Sequence, residues 1–128
     1  MPSDKKCRVL IVEDEAMISM LIEDMVLDFG SEIVGPASKV DKAMTLALEE
    51  PLDAAILDVN VDGEAVFSVA DILLQRGVSV IFATGYGSRG LPDRFRGTPV
   101  LAKPFSYADL AATLKTALAD APCDTASA

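Results

Sequence analysis

The chain has no histidine and no tryptophan, only two cysteines, and aromatic residues at just 5% of its 128 positions. Without histidine it cannot offer an imidazole as nucleophile, general base or metal ligand. Cys7 and Cys123 stand near opposite ends, outside any CxxC or CxxH spacing, and are read as two unrelated reduced thiols. Basic residues are also scarce, 11 against 20 acidic, for a net charge of -9. That balance opposes binding to a phosphate backbone, so no nucleic-acid partner is expected. No apolar run reaches the length of a membrane span, and MPSDKKCRV at the N-terminus lacks the apolar stretch of a signal peptide. The expectation is a cytoplasmic protein with no membrane contact. Its length fits one domain, residues 1–128, with a core at about 6–120.

What is present is an alternation of apolar runs and helical periods. RVLIV (8–12), a short run around Glu32 to Val34, AAILDV (54–59), VSVIFA (78–83) and PVLA (99–102) read as five strands. Gly35-Pro36 is expected to break the chain after the second. Ile18, Leu21, Ile22, Met25 and Val26 mark one helix face, closed by Gly30. Val40, Ala43, Met44, Ala47 and Leu48 mark another, opened by Ser38 and Asp41 as a capping box. Val66, Val69, Ala70, Leu73 and Leu74 mark a third, ended by Gly77. Leu110, Leu114, Ala117 and Leu118 mark the last, with Ser106 and Asp109 as its capping box, and the tail PCDTASA reads as frayed. GYGSRGLPDRFRG (85–97) carries four glycines and no amphipathic period, so a fourth helix between the last two strands should be short or irregular. The pattern predicts an α/β domain with a doubly wound, five-stranded parallel sheet of flavodoxin-like order 2-1-3-4-5.

In such a sheet ligands bind beyond the carboxyl ends of the strands. The first run ends in Glu13 and Asp14, followed by Glu15; the third ends at Asp58, the fourth at Thr84, the fifth at Lys103-Pro104. Each has an ordinary explanation alone: acids at a helix start suit the macrodipole, and a lone lysine is usually solvated. Together they suggest phosphoryl transfer to a carboxylate. Mg²⁺ prefers a few carboxylates, water and phosphate oxygens, which Glu13, Asp14 and Asp58 could complement. Asp58, ionised near neutrality, needs no general base to act as nucleophile. Lys103 and the Thr84 hydroxyl could each meet a phosphoryl oxygen.

This set, in this order on five strand ends, resembles the receiver domain of two-component response regulators. The resemblance covers roughly residues 6–120. It implies a phosphoprotein that accepts phosphate on Asp58 from a sensor histidine kinase or phosphotransfer protein. It implies Mg²⁺ held by Glu13, Asp14, Asp58 and the backbone carbonyl of Asn60, with Thr84 and Lys103 contacting the phosphoryl group. A Lys-Pro peptide at this point is typically cis in that family. FATGYG (82–87) resembles a subgroup of receivers, often single-domain, with an irregular fourth helix; Ser79 stands where its motif usually begins with proline. Receivers usually carry an aromatic residue three positions before the lysine, a place taken here by Val100. Tyr86 is the nearest aromatic candidate for that switch, with a static ring as the alternative. The 85–97 stretch, with Arg89, Arg94 and Arg96, is the candidate moving surface. Such a protein is not an enzyme in the ordinary sense, and two outputs stay open: a shuttle or sink in a phosphorelay, or a regulator docking on a target protein. A haloacid-dehalogenase-type phosphatase would want an acid where Asn60 stands. A flavin carrier would want a phosphate cradle where EDE (13–15) would repel it.

Overall fold

The computed structural model of the chain describes residues 6–85, 90–119 and 121–123. The long apolar runs become strands because parallel strands covered on both faces need no polar side. β1 (Arg8–Val12), β2 (Glu32–Ala37), β3 (Ala54–Asp58), β6 (Ser79–Thr84) and β7 (Val100–Ala102) form one parallel sheet. Its order is β2-β1-β3-β6-β7, the expected 2-1-3-4-5 once the short hairpin of β4 (Asn60–Val61) and β5 (Glu64–Ala65) is set aside.

Alternation along each strand divides the core in two. Leu10, Val12, Leu57, Val80 and Phe82 face α2 (Val40–Glu49) and α3 (Phe67–Gln75), meeting Ala43, Ala47, Val69 and Leu73. Val9, Ile11, Ile56 and Ile81 face α1 (Ala16–Asp28) and α4 (Tyr107–Ala117), meeting Ile22, Met25, Leu110 and Leu114. Gly30 (φ 82°) and Gly77 (φ 78°) take the left-handed conformation that ends α1 and α3, as their positions led one to expect.

Between β6 and β7 the described residues form no α-helix. They include a 3₁₀ turn, Asp93–Phe95. Phe95 fills the space a helix would cover: it is buried, with its ring centroid 5.1 Å from Phe82 and 5.6 Å from Phe67. Arg94 lies over that ring and forms a two-armed pair with Asp71 on α3, so it anchors the segment rather than merely solvating it.

Several expectations need correction. β2 does not stop at Val34; it runs through Gly35-Pro36 to Ala37, absorbing the extra residue as a register shift opposite Leu10 and Val12. Ser38 does not cap α2, whose N-cap is Lys39 without a side-chain bond, whereas the Ser106–Asp109 capping box on α4 is complete. Leu21, Leu48 and Leu74 lie at the exposed margins of their helices, Leu48 being 55% accessible. Cys7 and Cys123 are not free thiols. They form a disulfide, and the tail is held at least to residue 123. Both the Gly35-Pro36 and Lys103-Pro104 peptides are cis. No helix among the described residues is long and apolar enough to cross a membrane.

Candidate functional site

The carboxyl edge of the sheet gathers the predicted acids through backbone pairing. Glu13 N–H donates to Ala37 O (3.0 Å), so the shifted end of β2 fixes the residue that follows β1. The Glu13 side chain turns inward and is almost fully buried. Its Oε2 accepts from Glu15 N–H (3.1 Å) and its Oε1 from Lys103 Nζ (3.0 Å). Asp14 points outward, and its Oδ2 accepts from Asp62 N–H (2.8 Å) in the β4–β5 turn.

Asp58 closes β3 and is only 7% exposed. Its Oδ1 accepts from Asn60 N–H (3.3 Å) and its Oδ2 lies 3.2 Å from Lys103 Nζ. Thr84 ends β6 and is buried, and its carbonyl accepts from Lys103 N–H (2.8 Å). One ammonium thus faces Glu13, Asp58 and, at 3.8 Å, the exposed Glu15.

Charge is out of balance here. Four carboxylates (Glu13, Asp14, Glu15, Asp58) surround a single lysine. Burial raises Glu13 to about 7, helped by the charge of Asp58 and opposed by the bonds from Glu15 N–H and Lys103. Burial also acts against the Lys103 ammonium. Its bond to Glu13 and the charges of Glu13 and Asp58 outweigh that, and its pKa is raised. Lys103 is therefore the fixed charge of the group and Glu13 the titrating one. Carboxylate oxygens of Glu13, Asp14 and Asp58 lie within 4.8 Å of one another, a hard-donor set. The donor chemistry and the uncompensated negative charge fit a divalent cation of the Mg²⁺ type.

The structure therefore brings Glu13, Asp14, Asp58, Thr84 and Lys103 to one edge, with Asn60 exposed beside them at the start of the hairpin. Tyr86, the candidate switch, lies outside the described residues, as does Arg89. Val100 is half-buried against the core shared with Phe82 and Phe95. Sequence reasoning missed the hairpin and its hold on Asp14. A signal was available: Asp62-Gly63, both at positive φ (52° and 81°), is the dipeptide of a tight hairpin turn.

No family model matches the chain. Comparison with solved structures finds SdrG from Sphingomonas melonis Fr1, 38% identical, covering 88% of this chain and 97% of that one with a TM-score of 0.78. It also finds the receiver (REC) domain of the PhyR response regulator from Erythrobacter litoralis, 34% identical, covering 95% and 97% with a TM-score of 0.81. Among curated proteins, the transcriptional regulatory protein PdtaR of Mycobacterium tuberculosis is 34% identical over 115 residues, 87% of this chain and 56% of PdtaR. The chain spans about half the length of the curated relatives it matches. With identity above 30% across nearly the whole of two such structures, and an acid edge built by the same fold, the chain belongs to the receiver-domain family of two-component response regulators.

Proposed function

We propose that Asp58 accepts a phosphoryl group from the phosphohistidine of a sensor histidine kinase or phosphotransfer protein, and that the chain signals or relays phosphate through protein contacts. The observation that carries this reading is the Asp58 carboxylate, nearly buried at a strand end and 3.2 Å from an ammonium supplied by another strand. A structural ion pair alone would not call for two further acids beside it.

Glu13, Asp14 and Asp58, with the backbone carbonyl of Asn60, would hold Mg²⁺, which when bound supplies positive charge toward phosphoryl oxygens. The chain's own residues do the rest. An Asp58 oxygen attacks phosphorus. The bond from phosphorus to the donor's imidazole nitrogen breaks, and its electron pair stays on that nitrogen. Lys103 Nζ, already turned toward Asp58, pairs with a phosphoryl oxygen, and the Thr84 hydroxyl donates to another. Hydrolysis of the acyl phosphate returns free Asp58 and inorganic phosphate.

Intact mass after incubation with a small phosphodonor and Mg²⁺ tests this, alongside Asp58→Ala and a chelator control. One added phosphoryl group in the wild type, lost in both controls, is the expected result. Addition that survives Asp58→Ala would place the acceptor elsewhere.

A further inference from the structure

The opposite edge of the sheet carries a second chemical feature, unrelated to the acids. Cys7 precedes β1 and is completely buried; it is bonded to Cys123, beyond the end of α4. Their Cα atoms are 4.9 Å apart across a sequence separation of 116. Because the strands are parallel, this edge is separated from Asp58 by the length of a five-residue strand, roughly 16 Å.

The two halves of the bond are held very differently. Around Cys7 the backbone is locked: Glu32 N–H donates to Cys7 O (2.8 Å), and Asp53 N–H donates to Arg8 O (2.8 Å). Arg8 N–H in turn donates to Asp53 Oδ2 (2.9 Å). On the other side, Ala119 and Ala121 donate back to Thr116 and Leu118, within their own turn. The segment reaches the body of the domain through apolar contacts of Ala121 and Cys123 and through the disulfide itself. Cys123 is partly exposed where Cys7 is completely buried, so the bond meets solvent from the Cys123 side. A carboxylate oxygen of Asp53 lies within 4.8 Å of both sulfurs. Ala121 and Pro122 also wall a cavity of about 780 Å³ together with Asp53, Arg76, Thr98 and Pro99, so release of this segment removes one side of it.

We propose that Cys7 and Cys123 are a reversible thiol–disulfide pair that docks and releases the C-terminal segment at the edge of the sheet remote from the acid site. Two small thiols, of the glutathione class, open it. The Cys7–Cys123 bond breaks, one sulfur–sulfur bond forms between the small thiols, and their two protons pass to Cys7 and Cys123. A small-molecule disulfide of the same class reverses the exchange. This inference stands apart from the phosphoacceptor reading.

The test equilibrates the full chain in buffers from fully reduced to fully oxidised glutathione and traps thiols with an alkylating reagent. Intact mass is then read beside amide hydrogen exchange. The expected result is one transition between two alkyl groups and none. The reduced form should exchange about tenfold or more faster at residues 118–123, with residues 58–65 unchanged. Cys123→Ser, which leaves the buried Cys7 in place, should exchange like the reduced protein in every buffer. Thiols alkylated at every poise, a bond that no glutathione buffer opens, or exchange at 118–123 indifferent to its state would each overturn the proposal. So would a Cys123→Ser variant as protected as the oxidised wild type.

Discussion

Lys103 Nζ lies 3.2 Å from Asp58 Oδ2, and the same nitrogen holds Glu13 Oε1 at 3.0 Å. The lysine bridges two buried acids, so under the proposed function its charge is already in place where charge would develop during transfer. Lys103→Ala should slow phosphoryl uptake from a small donor by about 10²- to 10³-fold. Lys103→Arg should recover little of it, since a planar fork does not replace a compact ammonium. Single-turnover phosphorylation followed by intact mass checks both; wild-type rates in either variant would remove Lys103 from the reaction.

Glu13 gives the site a pH signature. Unfolded, it loses its proton near 4.5; folded, burial holds the proton to about 7. Between those values the native state binds more protons than the unfolded chain, so this contribution to stability falls as pH rises through the window. The full span is worth about 3 kcal/mol. Urea unfolding in chelator at pH 5 and 7.5 should show wild type losing more than Glu13→Gln by up to that amount. Adding Mg²⁺, which favours the ionised form, should narrow the gap. Parallel curves for the two proteins in chelator would contradict it.

Gly35 sits at φ +95° where β2 shifts register, and a Cβ there would meet Ala37 N at 2.9 Å and Ile11 O at 3.0 Å. Both obstacles are backbone. Gly35→Ala should cost about 1–3 kcal/mol. Since Ala37 O holds Glu13 N–H, the damage should extend to the acid site as weaker Mg²⁺ affinity. Chemical denaturation with Mg²⁺ titration measures both, and a stable variant with unaltered affinity would show that the strand can relax there.

Arg8 ties three strand starts together. Its guanidinium reaches Glu32 (2.9 Å), Glu50 (2.7 Å) and Pro51 O (2.8 Å) while its backbone bonds Asp53. The side chain is about a quarter exposed, so each pair is screened, but the fork satisfies several groups at once. Arg8→Ala should lower stability by about 1–2 kcal/mol. Arg8→Lys should restore less than half, as read by the urea midpoint.

The acid site was legible because a parallel sheet sends every strand's carboxyl end to one edge, so Glu13, Asp14, Asp58, Thr84 and Lys103 could be assembled from strand positions alone. The helix faces were legible at their centres, in Ile22, Ala43 and Leu110, and not at their margins. Periodicity places Leu48 on the apolar stripe without saying where the sheet's cover ends. The β4–β5 hairpin escaped because strands of two residues show no alternation, leaving only Asp62-Gly63 to announce it. The Cys7–Cys123 bond escaped for a deeper reason. Its formation depends on where the whole intervening chain returns, which spacing between two cysteines does not encode.

That bond also changes how the domain meets mechanical force. Residues 7 to 123 form a covalent ring that encloses all five strands of the sheet. Tension applied through the segments flanking the ring passes from Cys7 directly to Cys123 across the two sulfurs, bypassing the sheet. While the bond is intact the folded body carries almost no load. Once it is reduced, the same pull acts on β1 and α4 and can draw out about 400 Å of hidden chain.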